Sequence, residues 1–143
     1  MVPLGGVVNL AERRIVHDFE TNLFPGLKER VEKAAGFPIP LEVSWETLAV
    51  AGESRLYAEC WSAIYFEPLI GALGYIGRDE MGHRALQSGL KKVVLQNVKG
   101  CVYGDCWATL VDVVLTLDHE SLTNASDVES RTKGLIGVLE SSL

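Results

Sequence analysis

Cysteine is scarce in this chain: three residues in 143, Cys60, Cys101 and Cys106. That number is too small and too odd for a disulfide framework, so all three are expected as thiols, with Cys60 in the core. Cys101 and Cys106 bracket a Gly-containing loop and can pair under oxidation, but four intervening residues and no histidine nearby make a poor zinc site. Positive charge is also short. Lysine and arginine total 13 against 19 acids, a net charge of -6, which disfavours binding to a nucleic-acid backbone and suits either solubility or a basic protein partner. No apolar run reaches the roughly 18 residues of a membrane helix. Met1 to Val8 lacks the basic start and full apolar stretch of a secretion leader, so a cytoplasmic, membrane-free protein is expected. Internal repeats, low-complexity tracts and polar linkers are missing too, which leaves residues 1–143 as one domain.

What is present is ordinary globular material, 48% apolar and 22% charged. Asn9 with Glu12 three residues on is a reciprocal capping arrangement, so a first helix starts near Leu10. Its apolar stripe runs through Ile15, Val16, Phe19 and Leu23 to Leu27, Val31 and Ala34, with a kink or split expected at Pro25-Gly26 and a stop at Gly36. Leu41, Val43 and Trp45 alternate with polar residues as a strand does. From Tyr57 to Ile76 the apolar positions recur at helical spacing, marking a central helix in which Pro68 predicts a kink or a displaced start. A short helix follows from about Asp79 to Leu90.

Val93 to Val98 reads as a strand, and Trp107–Val111 with Val113–His119 as two more turning at Asp112, or as one long strand. Ser126 and Glu129 form a second capping box before a final helix, whose Gly134 and Gly137 suggest close packing on the sheet. Asn124-Ala125-Ser126 matches the glycosylation pattern and is read as the loop before that helix. The order α-β-α-α-β-β-β-α, with short connections between the last strands, predicts a two-layer α+β fold with a mostly antiparallel sheet of about four strands.

Chemistry-bearing residues are thinly spread. His119 between Asp118 and Glu120 is the best acid-base candidate, although strand neighbours point to opposite faces. His83 with Arg78 and Glu59 or Glu67 is a second grouping, for a small acidic or carbonyl substrate. His17 and Glu20 share a helix face without a second such pair, so no metal is expected. Gly71, Gly74 and Gly77 follow no strand and lack a phosphate-loop lysine, and no nucleophile elbow occurs, so no cofactor is expected either. Arg78 at a helix start suggests an anion site, opposed by Asp79 and Glu80.

Aromatic residues are the richer signal. Trp61, Tyr65, Tyr75 and Trp107, with Arg78, are the candidate ligand-binding set. Tyr65, Phe66, Leu69, Ile70, Leu73, Tyr75 and Ile76 cover so much of the central helix that it is either deeply buried or shared with a second subunit, a homodimer. The reading is a homodimeric binding or interaction module with an apolar pocket or groove near that helix, for a small apolar or anionic ligand or a basic protein. The alternative is a small acid-base enzyme using His119 with Asp118, or His83 with Arg78.

Overall fold

The computed structural model describes residues 7–143, so the leader reading of Met1 to Val8 falls, as far as Gly6, outside them. The first helix begins where the sequence places it. Asn9 Oδ1 accepts from Glu12 N–H and Glu12 Oε1 accepts from Asn9 N–H, both at 2.9 Å, capping α1 (Leu10–Asp18). The other oxygen of buried Glu12 accepts from Gly52 N–H and ties that helix start to a distant loop.

Both internal prolines are accommodated in the same way. A proline cannot donate to the carbonyl four residues back and its ring crowds it. The chain responds by widening one turn: a π segment, Phe19–Leu23, precedes α2 (Phe24–Ala35) with Pro25 in its first turn. A second, Ser62–Phe66, joins α4 (Tyr57–Trp61) to α5 (Glu67–Ile76), with Pro68 in the first turn. Gly36, at φ 87°, ends α2 in the left-handed conformation that glycine adopts without penalty. Pro38 and Pro40 then lead into β1 (Leu41–Val43). Trp45 does not extend that strand; it opens the single-turn α3 (Trp45–Leu48) and turns its ring onto Phe19, Phe24 and Trp61.

Asp79 caps α6 (Glu80–Gly89) by accepting from Gly82 N–H at 2.8 Å. Then come β2 (Lys92–Gln96), β3 (Ala108–Val111), β4 (Val114–Asp118) and α7 (Val128–Ser142). The fold is α+β, with five continuous helical units and a four-stranded sheet in the order β1-β2-β4-β3.

That sheet is mixed and mostly parallel, which corrects the antiparallel expectation. β1 and β2 are parallel because residues 44–91, with their helices, form the crossover. β2 and β3 do run in opposite directions, as a short connection requires, but they are not neighbours. The 97–107 loop carries the chain past one strand position, β3 returns along the edge, and β4 slots between them, parallel to β2. Only β3 and β4 form the expected hairpin, turning at Asp112 and Val113.

One sheet face is apolar, with Leu41, Val93, Leu115 and Leu110 in one register row and Val43, Leu95, Leu117 and Ala108 in the next. The other carries Glu42, Val94, Thr116 and Thr109. Helices cover the apolar face, with α5 packed between α2 and α7 and α7 packed on β3. Buried apolar residues form one cluster running from Phe19 to Leu139. Along this continuous helical unit Tyr65, Phe66, Leu69, Leu73 and Ile76 are buried within the chain, Ile70 is half-buried and Tyr75 is exposed. No helix among the described residues is long and apolar enough to cross a membrane.

Candidate functional site

Arg131, to which the sequence reading gave no role, is the most heavily used polar side chain of the interior. It is fully buried on α7 and its guanidinium donates to four main-chain carbonyls. Nε reaches Ile64 O at 3.2 Å, Nη2 reaches Ala63 O at 3.2 Å and Ala125 O at 2.9 Å, and Nη1 reaches Asn124 O at 2.7 Å. Two of these acceptors exist because of Pro68. Glu67 N–H bonds Ser62 O across the π turn and Pro68 has no N–H, so Ala63 lacks its i+4 donor and Ile64 lacks its own. Burial lowers the Arg131 pKa, and the Asp127 carboxylate and the Tyr65 phenol partly oppose that.

The same side chain displaces the second capping box. With Asn124 at φ 57° and its Nδ2 donating to Val102 O at 2.7 Å, the turn before α7 is held by Arg131, and Asp127 rather than Ser126 sits at the helix start without a side-chain cap.

His119 lies beside this cluster, fully buried, its ring edge-on to Trp107. Its Nδ1 is 2.6 Å from Glu120 O, a contact that requires the proton on Nδ1 and leaves Nε2 as a bare acceptor without a partner. Burial lowers the His119 pKa; the Glu120 and Val102 carbonyls and the Glu120 carboxylate oppose this, and Arg131 reinforces it. Asp118 does not support the ring. Its Oδ1 accepts from Val98 N–H at 2.9 Å and Lys99 N–H at 3.1 Å, and its Oδ2 from Gln96 Nε2 at 2.9 Å. Burial pushes the Asp118 carboxyl up, but these hydrogen bonds outweigh it and the net shift is down.

The second acid-base grouping is dispersed as well. His83 packs against Phe37 and places Nδ1 3.3 Å from Ala35 O. Glu67 is held by Arg30 through two bonds of 2.9 and 3.0 Å, and Glu59 is exposed. His17 and Glu20 are both exposed on the first helix, and no group of three or more metal-ligating side chains forms among the described residues.

The ligand-binding set divides in two. Trp61, Tyr65 and Trp107 are fully buried: Trp61 stacks on Tyr57 at 4.5 Å, Tyr65 Oη donates to His119 O at 2.6 Å, and Trp107 Nε1 donates to Arg131 O at 3.2 Å. Tyr75 and Arg78 are on the surface, with the guanidinium 3.9 Å above the ring and donating to Tyr75 O at 2.6 Å.

Arg78 lines an open groove of about 370 Å³ where the α5–α6 turn meets the last turn of α7. Ile76, Met81, Ala85, Leu139 and Leu143 are its apolar walls, and Arg78, Asp79 and Glu140 its polar ones. Met81 is 83% exposed and Tyr75 44%. Gly82 makes the close helix approach possible, since a Cβ there would sit 1.7 Å from Ile76 O. A second depression of about 270 Å³ shares Ala85 and Leu143 and continues to the hairpin tip at Asp112 and Val113. That tip is strained: Val113 holds φ 62°, a left-handed conformation that β-branched residues rarely adopt.

Asp79, Asp112 and Glu140 of this strip have no ion-pair partner within 4 Å among the described residues, a state they share with most acids of the chain.

Cys101 and Cys106 are bonded to each other, which corrects the thiol expectation for this pair; Cys60 alone remains a buried thiol. Gly104 lets their loop rest on α7 at Gly134, where a Cβ would meet Gly104 O at 1.8 Å, so Gly134 serves contact with a loop rather than with the sheet. Comparison with known protein families, with curated proteins and with solved structures finds no match to this chain.

Proposed function

We propose that the protein is an acidic binding module that docks a basic, apolar-studded segment of a partner protein in the groove between the α5–α6 turn and the end of α7. The observation that carries this reading is the exposed Met81 set between carboxylates that form no ion pair. Met81 supplies the exposed apolar contact, above half-buried Ala85 and the buried Ile76 and Leu139, and Asp79 and Glu140 flank it without an ion pair, Asp79 also capping α6. Arg78 keeps its positive charge on Tyr75, and the two carboxylates outnumber it in the groove lining. A lysine or arginine side chain fits such a site, its aliphatic stem on the methionine and its head at a carboxylate. The net charge of -6 adds long-range attraction for the same partner.

The test uses a synthetic amphipathic peptide of leucine and lysine, followed by fluorescence anisotropy. The expected result is binding that weakens several-fold between low salt and about 0.3 M, and that Met81→Asp and Glu140→Lys each abolish. Both side chains are exposed, so the fold should survive the changes. Equal binding of a leucine and glutamate peptide overturns the reading. A doubled mass in light scattering that Met81→Asp removes would instead give the groove to a second copy of the chain. Stabilisation by small apolar or anionic compounds alone would give it to a small ligand.

A further inference from the structure

A second feature stands apart from the groove. The disulfide between Cys101 and Cys106 closes a loop whose hold on the rest of the molecule is mostly polar. Val98 and Lys99 donate their amides to Asp118, Glu120 N–H donates to Cys101 O at 2.8 Å, and Asn124 donates to Val102 O. Val98 before the disulfide and Tyr103 within it are 66% and 64% exposed and give the loop little anchorage. Against the loop lies buried His119, whose ring faces the Val102 carbonyl. The two sulfurs are not equivalent, since Cys101 is buried and Cys106 is exposed.

We propose that this bond is a thiol-exchange site, opened by a small thiol at Cys106, and that opening it releases residues 98–106 from α7 and uncovers His119. Access decides which sulfur is attacked. An incoming thiolate bonds to Cys106 Sγ, the Cys106–Cys101 bond breaks, and Cys101 leaves as a thiolate that takes a proton from water. A second thiolate then attacks the mixed disulfide, forming the external disulfide and leaving Cys106 as a thiol. Two external thiols are oxidised and one protein disulfide is reduced. Exposed disulfides are the labile, regulatory ones, and Cys106 is an exposed residue.

The test exposes the native protein to millimolar glutathione, quenches with an alkylating agent and locates the adducts by mass spectrometry. Glutathione is expected on Cys106 and the alkyl group on Cys101. Hydrogen exchange at Val98, Lys99 and Glu120 should rise roughly tenfold or more on reduction, with the α2 and α5 amides unchanged. Cys106→Ser should reproduce the reduced pattern without any thiol. Glutathione on Cys101, resistance of the bond until the whole protein unfolds, or unchanged loop protection after reduction overturns the proposal. So does failure of oxidised glutathione to form the bond in protein purified as the dithiol.

Discussion

Replacing Arg131 with methionine keeps most of the apolar stem and deletes the guanidinium, and with it four hydrogen bonds to carbonyls. The consequences differ among the acceptors. Asn124 is exposed and Ala125 half-buried, so their carbonyls can turn to water. Ile64 is buried and Ala63 half-buried under α7, and an unsatisfied interior carbonyl costs about 1–3 kcal/mol. Recovering the hydration of the lost charge offsets part of this. A net loss of about 2–4 kcal/mol is expected, a large share of the roughly 5–15 kcal/mol available to a domain. Urea unfolding should show a lower midpoint with an unchanged slope. Pro68→Ala gives a sharper check, because it restores an N–H to Ile64. That change should cost stability, or do nothing, in the wild type and recover stability in Arg131→Met. The argument fails if Arg131→Met lies within about 0.5 kcal/mol of wild type, or if Pro68→Ala has the same effect in both backgrounds.

Three further outcomes follow from the same structure. Val113→Gly removes a strained side chain from a turn that needs two left-handed residues; after the entropic cost of glycine, calorimetry should find the protein more stable by up to about 1 kcal/mol, and an unchanged or lower melting temperature refutes the strain. Gly82→Ala should destabilise strongly, because its methyl group would overlap the Ile76 carbonyl; a variant that melts with the wild type would show that this approach is not tight in solution. His119 gives a pH dependence. Burial lowers its folded pKa, so the unfolded chain takes the proton first, at about pH 6.5, and stability falls as pH drops below that by up to about 1.4 kcal/mol per unit. Just below about pH 6.5 the slope should diminish in His119→Gln, and an unchanged slope there assigns it to another group.

Features governed by one or two neighbouring residues were legible in the sequence. Asn9 with Glu12, Gly36, Asp79 and the turn at Asp112 act through contacts three or four residues long, and each element begins or ends where they place it. Strand direction was not legible. A short connection fixes the relative direction of β2 and β3 but not which strand later slips between them, so the parallel β2–β4 pair could not be inferred. Ser126 and Glu129 had the right spacing for a cap, yet a side chain from within the helix, Arg131, won the competition for that turn. The signal for Arg131 was present in Pro68, since a proline inside an apolar helix strips carbonyls that something must satisfy. Aromatic content predicted ligand contact equally for Trp61, Trp107 and Tyr75; periodicity cannot distinguish the two that meet helices and strands of the same chain from the one facing water.

The central claim is that the groove takes a basic, apolar segment. Its most direct test is a titration of isotope-labelled protein with the leucine and lysine peptide, followed residue by residue through amide chemical shifts. The account predicts shifts confined to Ile76–Ala85, Leu139–Leu143 and the hairpin tip at Asp112 and Val113. Shifts centred on the Glu42–Thr116–Thr109 face of the sheet, or on α1, with the groove silent, would contradict it.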